Sequence, residues 1–195
     1  MFRYCTTCWR VSEREHPEQR LSLDCYVQAI SIVLSKFRVK KLTKTNIRFS
    51  VPGDLSAAKG IIDSVQLFPS ELLDGMFCAD SDDSVQSEFW LTFDDGLPVA
   101  IAYCAPEAMA DGTWNLLLIA VHPDRQSEGI GALMMAYVED KLSAEGVRVL
   151  LVETSGADDF NKTRMFYSKL GYCEEARIRE YYGVGDDKIV FHKYL

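Results

Sequence analysis

The residues with the most chemical content lie in one stretch, Val121-His122-Pro123-Asp124-Arg125-Gln126-Ser127-Glu128-Gly129-Ile130-Gly131-Ala132-Leu133. It follows an apolar run and opens an amphipathic segment, the layout that presents a helix N-terminus to an anion. The first N–H groups of a helix have no intrahelical partner, and the helix dipole adds partial positive charge there, so a phosphate fits without a dedicated cation. Gly129 and Gly131 let the backbone come close to such a group. Two phosphate-binding patterns fail on spacing. Met134 stands where a dinucleotide fingerprint requires a third glycine, and Ala132 follows Gly131 where a nucleoside-triphosphate loop requires lysine. The pattern present is Gln-x-x-Gly-x-Gly, carried by Gln126, Gly129 and Gly131.

The elements that must position this loop are legible on either side of it. Leu116 to Val121 is an unbroken apolar run, as expected of a strand buried on both faces. Ile130, Leu133, Met134, Tyr137, Val138 and Leu142 recur at helical spacing, with Gly146 as the stop. Val147 to Glu153 is a second strand, rich in leucine and β-branched residues, that ends on a carboxylate. Strand, helix and strand together read as a right-handed parallel crossover. Asp158 to Tyr172 then reads as another amphipathic helix, closed by Gly171.

The loop at Gln126, Gly129 and Gly131, with Val121 and Pro123 just ahead of it, resembles the coenzyme A loop of the GNAT superfamily of N-acetyltransferases. The run from Asn161 through Tyr167 to Gly171-Tyr172 resembles that superfamily's second signature, and the two lie about one strand apart. The resemblance covers Asn46 to Leu195. Within the superfamily, Ala176 to Tyr182 followed by Asp187 to Val190 is similar to the ribosomal-protein N-terminal acetyltransferase group. The fold implied is α/β: a mixed, mostly antiparallel sheet with a central parallel strand pair, flanked by helices. The function implied is acetyl transfer from acetyl-CoA, as co-substrate, to a primary amine by direct attack in a ternary complex. The acceptor is a peptide N-terminus or a small-molecule amine. The alternative is a non-catalytic acetyl-CoA-binding module that regulates a partner.

The resemblance also implies roles. Ile119, Ala120 and Val121 pair with the pantetheine arm as an added strand would, and Gln126, Ser127, Glu128, Gly129, Ile130, Gly131 and Ala132 hold the pyrophosphate. A backbone N–H near Val121 polarises the thioester carbonyl. Asn161 contacts the pantetheine or adenosine side, with helix capping as its other reading. Tyr167 stands at the position of the acid that protonates the departing thiolate, or is an aromatic of the core stripe with Phe160 and Phe166. Glu153 is the candidate base, acting through water, since an amine must be neutral to attack; otherwise it is a strand-end carboxylate, solvated or paired with Arg148. Tyr181 and Tyr182 line the acceptor site or pack on the sheet. The loop departs from the family pattern where Gln126 replaces a basic residue, Ser127 a glycine, and Glu128 adds a carboxylate beside an anion site, a charge that Arg125 or Arg164 would offset.

The rest of the chain frames this site. Asn46 to Val51 reads as a first strand, Ser56 to Leu67 as a helix, and a second short helix starts at Pro69. Glu88 to Phe93 and Leu97 to Tyr103 flank Asp94-Asp95-Gly96, a strong hairpin signal. Two further strands, Cys173 to Arg179 and Lys188 to Tyr194, close the chain. Phe77 to Ser87 is acidic and reads as a loop. The domain expected over 46–195 follows a basic, partly helical extension over 1–45, in which Leu21 to Phe37 is the helical part.

Composition excludes several classes. A content of 48% apolar residues is ample for a core, and a net charge of −8 argues against nucleic acid or an anionic membrane as partner. No apolar run reaches membrane-spanning length, since Asp24, Gln28 and Lys36 interrupt Leu21 to Phe37. A cytoplasmic protein, monomeric or homodimeric, is expected. Cys104 and Cys173 fall in expected strands and read as buried core thiols. Cys5-x-x-Cys8, with His16 and Cys25, lacks a second ligand pair at finger spacing, so no metal is expected.

Overall fold

Period-two alternation and turn chemistry build the first half of the sheet. In the computed structural model, which describes residues 42–77 and 88–195, β1 is Ile47–Phe49, β2 is Phe89–Asp94 and β3 is Pro98–Pro106. The β2–β3 hairpin turns at Gly96, whose φ of 92° only a glycine adopts without strain, and Gly96 N–H donates to Asp94 Oδ1 at 2.9 Å. Helix α1 is Leu55–Val65, and a single turn at Ser70–Leu72 runs into α2, Leu73–Met76. β4 is Thr113–Val121, α3 Ile130–Ala144, β5 Val149–Ser155, α4 Asn161–Lys169, β6 Cys173–Gly183 and β7 Asp186–Tyr194.

The seven strands lie in the order β1-β2-β3-β4-β5-β7-β6, and β4–β5 is the parallel pair among antiparallel neighbours. This is the mixed sheet and element order that the sequence implies. Because side chains alternate across a strand, Ala100, Ala102 and Cys104 of β3 face one layer and Ile101 and Tyr103 the other. The first layer is α3 and α4, which bury Ile130, Met134, Met135, Val138, Leu142 and Tyr167. The second is α1, with Ala58, Ile61 and Ile62 against Trp90, Ile101, Tyr103 and Leu118.

Two expectations are corrected. β4 is not buried along its whole length, because Leu117 is 52% exposed. Leu116 opposes Cys104 and Leu118 opposes Tyr103, so Leu117 is the extra residue of a bulge and turns outward. Cys173 is also not a core thiol. It opens β6, an edge strand exposed along its length, whereas Cys104, on a central strand, is fully buried. The expected helix over Leu21 to Phe37, the cysteines at 5, 8, 25 and 78 and the acidic residues Asp80, Asp82 and Asp83 lie outside the described residues. Among the described residues, no helix is long and apolar enough to cross a membrane, and no cluster of side chains is arranged to hold a metal ion.

One buried polar cluster ties the edge of the sheet to α1. Arg48 donates to both carboxylate oxygens of Asp54 at 2.6 and 2.9 Å, and to Asp94 at 2.9 Å. Asp54 also accepts from Val51 N–H at 2.9 Å and the Thr92 hydroxyl at 3.1 Å. These hydrogen bonds, Arg48 foremost, hold the Asp54 carboxyl below the usual carboxylate range against the opposing effect of its burial. Stability from a lowered carboxylate pKa is present above the unfolded value, near 4, and is lost as pH falls through the folded value. Asp54→Asn is therefore expected to cost about 1–3 kcal/mol at pH 7. Urea unfolding of both proteins at pH 7 and pH 3 checks it, with the gap between them narrowing at the lower pH.

Candidate active site

The site is made where the two parallel strands part. β4 and β5 pair from Thr113↔Val149 to Leu116↔Val152 and no further. Beyond that point β4 stays with β3 as far as Ala100↔Val121, and β5 stays with β7 as far as Ser155↔Lys188. The bulge at Leu117 falls at the last paired residue, and the added twist of a bulge steers the strand away from its neighbour. The facing edges of Ile119–Val121 and Glu153–Ser155 are left unpaired with each other, at the carboxyl ends of parallel strands where open α/β sheets bind ligands.

The loop after β4 closes one end of this gap. After a turn at Pro123–Arg125, Ser127 has a φ of 64° and Gly129 a φ of 87°, and α3 begins at Ile130. Turns built on left-handed residues are a source of backbone N–H concavities suited to an anion. Helical hydrogen bonding starts with Leu133 N–H to Gly129 O at 3.0 Å, so the amides of Ile130, Gly131 and Ala132 have no helical partner. At Gly131 a Cβ would lie 3.3 Å from the Phe166 ring, so the glycine is what lets α3 approach α4 this closely. Gln126 donates its amide to Val121 O at 3.1 Å and fixes the loop to the strand end.

Gln126, Ser127, Gly129, Ile130, Gly131 and Ala132 all line one cavity of about 500 Å³, together with Ile119, Val121 and Arg125 on one side and Lys162, Thr163, Phe166 and Tyr167 on the other. Three expected residues lie elsewhere. Glu128 is turned out of the cavity and bound to Arg125 at 2.9 Å, while the same guanidinium reaches Asp95 at 2.9 Å. Arg125 thus offsets the Glu128 charge; Arg164 does not, since it donates to the carbonyls of Ser155 and Ala157 at 2.7 and 2.8 Å. The Ala120 side chain packs on the opposite layer under α1, so only its backbone borders the gap. Asn161 is exposed on the far side of α4 with Arg164, Met165 and Ser168, and makes no cap hydrogen bond.

A second cavity, about 420 Å³, continues the gap and meets the first at Ile119, Thr163 and Tyr167. Glu153 and Tyr167 both line it. Glu153 is not paired with Arg148; its partner is Lys188 on the adjoining β7, Nζ to Oε2 at 2.5 Å. The Lys188 ammonium also stands 4.2 Å from the Tyr181 ring centre. Burial is the largest single influence and lowers the Lys188 pKa, but the Glu153 and Tyr181 interactions together outweigh it and the net shift is upward. Tyr182 lines the cavity, and Tyr181 packs on it edge-on at 5.0 Å.

Tyr167 is both core and cavity. It is 3% exposed, with Phe166, Tyr172 and Phe191 rings 5.2–5.9 Å away, and burial pushes its phenol above the ordinary value of 10. The same burial raises the Cys104 thiol. A phenol here keeps its proton at neutral pH, and a thiolate brought beside it is penalised in the same way. Thr163 escaped the sequence reading although its i, i+4 relation to Tyr167 places it on the same helix face. Lys188, Asp186, Leu67 and Phe68 carry no sequence signal, since their elements meet the gap only through the fold.

The parted parallel pair thus has an amide-lined turn at its mouth. Residues 85–174 match the family model described as acetyltransferase (GNAT) domain. Among solved structures, the chain is similar to an assigned GNAT-family acetyltransferase from Desulfovibrio desulfuricans, at 29% identity and a TM-score of 0.66, over 76% of this chain and 97% of the other. It shares its fold with the ribosomal-protein-S18-alanine N-acetyltransferase of Escherichia coli, at 22% identity and a TM-score of 0.61, over 76% and 92%. It also shares it with an aminoglycoside 6'-N-acetyltransferase solved with coenzyme A, at 16% and 0.60, over 76% and 96%. No curated protein matches the sequence.

Gly129 takes a backbone conformation that costs a side-chain-bearing residue about 1–2 kcal/mol. Gly129→Ala is expected to lower stability by that amount in thermal unfolding, whereas Gly53→Ala, at a glycine of ordinary φ with open space around it, is expected to cost less.

Proposed function

We propose that this protein is an acetyl-CoA-dependent N-acetyltransferase that passes the acetyl group to a primary amine by direct attack in a ternary complex. The observation that carries the reading is the continuity of the two cavities. The amide-lined turn opens into a gap between strands, and Tyr167 stands where that gap meets the chamber holding Glu153. One end suits a pyrophosphate and the other an amine, with a proton donor between them.

The residues present fit acetyl-CoA by their own geometry. The free amides of Ile130, Gly131 and Ala132 and the left-handed Ser127 and Gly129 make an anion cradle, and a side chain at Gly131 would crowd its wall. The unpaired edge of Ile119–Val121 offers backbone groups to a pantetheine arm, as a strand edge does to an added strand. When bound, acetyl-CoA supplies an acyl group on a good leaving sulfur. Lys162, which also lines the cradle, supplies cationic charge in a chain that is acidic as a whole, while Arg125 is already held by Glu128 and Asp95.

Glu153 takes the acceptor's proton. Its carboxylate lines the amine chamber, and Lys188 fixes one oxygen, leaving Oε1 toward the acceptor or an intervening water. Tyr167 gives a proton to the departing sulfur. Its raised pKa keeps the hydroxyl protonated and so able to donate to the sulfur. A backbone N–H at the end of β4 polarises the carbonyl. The acetyltransferase domain spans 42–195, since Leu42 packs on its core and Lys44 donates to Ala136 O at 3.1 Å. A cytoplasmic setting completes the proposal.

Thiol release from acetyl-CoA, measured across amines and N-terminal peptides, tests this. Tyr167→Phe is expected to lower kcat at least about tenfold with little change in coenzyme A affinity, and Glu153→Gln to lower kcat/KM about 10²-fold at pH 7. Coenzyme A binding without turnover of any acceptor would favour a regulatory module instead. Because a raised phenol pKa delays loss of the proton, wild-type kcat is expected to show no falling limb between pH 8 and 10.

A further inference from the structure

The amine chamber is lined in a way that sorts acceptors by chemical class. Three separate elements bring apolar groups to it that the fold leaves in solvent. Leu117 is turned out by the β4 bulge and is 52% exposed. Leu67, 41% exposed, follows the left-handed end of α1 at Gln66, and Phe68 lies beside it. Tyr182, 49% exposed, comes from β6 on the opposite wall. Exposed leucines singly placed need no explanation; leucines and aromatic rings from three elements converging on one chamber do.

The polar inventory points the same way. Among the described residues that line the chamber, the carboxylates are Glu153 and Asp186, and both are engaged. Glu153 is ion-paired with Lys188, and Asp186 accepts from the Ser155 hydroxyl at 2.5 Å. An acceptor with several ammonium groups must give up their hydration and find a carboxylate for each, which this lining does not offer.

We infer that the acceptor is a monoamine with a bulky apolar group next to the amine, seated against Leu117, Leu67, Phe68 and Tyr182. This rests on the acetyltransferase reading above. The chemistry is shared by two sources, a peptide whose first side chain is large and apolar and a small arylalkylamine. It excludes polyamines and aminoglycosides as preferred acceptors. Glu153 faces the amine, while the apolar group lies toward the mouth between α1 and β6. A small first side chain, alanine or serine, leaves those apolar groups uncovered.

Steady-state thiol release by the full chain at saturating acetyl-CoA tests the assignment. The acceptors are peptides identical except for a first residue of Leu, Phe, Ala, Ser or Asp, together with phenethylamine, spermidine and kanamycin. Leu- or Phe-first peptides, or phenethylamine, are expected to exceed Ser- and Asp-first peptides, spermidine and kanamycin at least about tenfold in kcat/KM, the discrimination an apolar pocket gives. Whichever of peptide or phenethylamine is faster identifies the source. Leu117→Ser and Leu67→Ser, made separately at exposed positions, are each expected to reduce the Phe-to-Ser ratio at least about threefold. A flat ratio, a preference for spermidine or kanamycin, or a ratio unmoved by both variants overturns the inference while leaving acetyl transfer standing. Coenzyme A binding with no thiol release from any acceptor overturns the acetyltransferase reading and this inference with it.

Discussion

The parting of β4 from β5 after Leu116 is the constraint on which the rest of the structure depends. Continued pairing would satisfy the backbone of both strands but leave no opening at the centre of the sheet. The bulge at Leu117 works against it by adding a residue and a twist to β4 while β3 holds the other edge. β5 is held by β7 over its full length, so it cannot follow. Two strands, each anchored on its outer side, therefore present unpaired edges to each other, and the helices α3 and α4 meet across that gap. The same bulge that opens the cleft exposes Leu117 within it.

An acidic chain has to attract an anion locally, and the loop after β4 does so mainly with backbone. Free amides at the start of α3 add positive potential without any side chain, and the conformations of Ser127 and Gly129 aim neighbouring amides the same way. The one carboxylate in the loop is turned aside. Arg125 holds Glu128 on the outside and is itself held by Asp95 on the β2–β3 turn, so the loop's geometry is tied to a hairpin about thirty residues earlier. Gln126, which stands where a basic residue is usual, is occupied with the Val121 carbonyl, so it shapes the loop.

Burial sets the chemistry at the junction of the two cavities. Tyr167 is packed as a core aromatic, yet it reaches both cavities, because α4 lies over the point where the sheet opens. Core packing fixes the ring and desolvates the hydroxyl at once, which makes the position rigid and the proton firmly held. Core residue and cavity wall are thus two descriptions of one placement. Glu153 differs in kind. Its position follows from strand register, and its ionic partner comes from β7, a strand added after the helix that carries Tyr167.

The order of elements, the parallel crossover and the anion-binding turn were legible in the sequence because each rests on local rules. Glycines at Gly129 and Gly131, helical periodicity through α3 and β-branched runs in β5 act over a few residues and need no partner to be read. The face of Glu153 was not legible, because one residue of register reverses a side chain. Nor was the exposure of Leu117, since an apolar run reads alike whether or not a bulge interrupts it. Cys173 was misplaced by the same limit: an edge strand is defined by what fails to pack on it. By itself, then, the sequence determined the fold class and the glycine-bearing loop that opens α3. Only the tertiary structure decided that Tyr167 and Glu153 share a chamber, that Lys188 holds Glu153, and that Leu67 and Leu117 line that same chamber. Those relations join elements far apart in the chain, and they exist only once the sheet has closed around its gap.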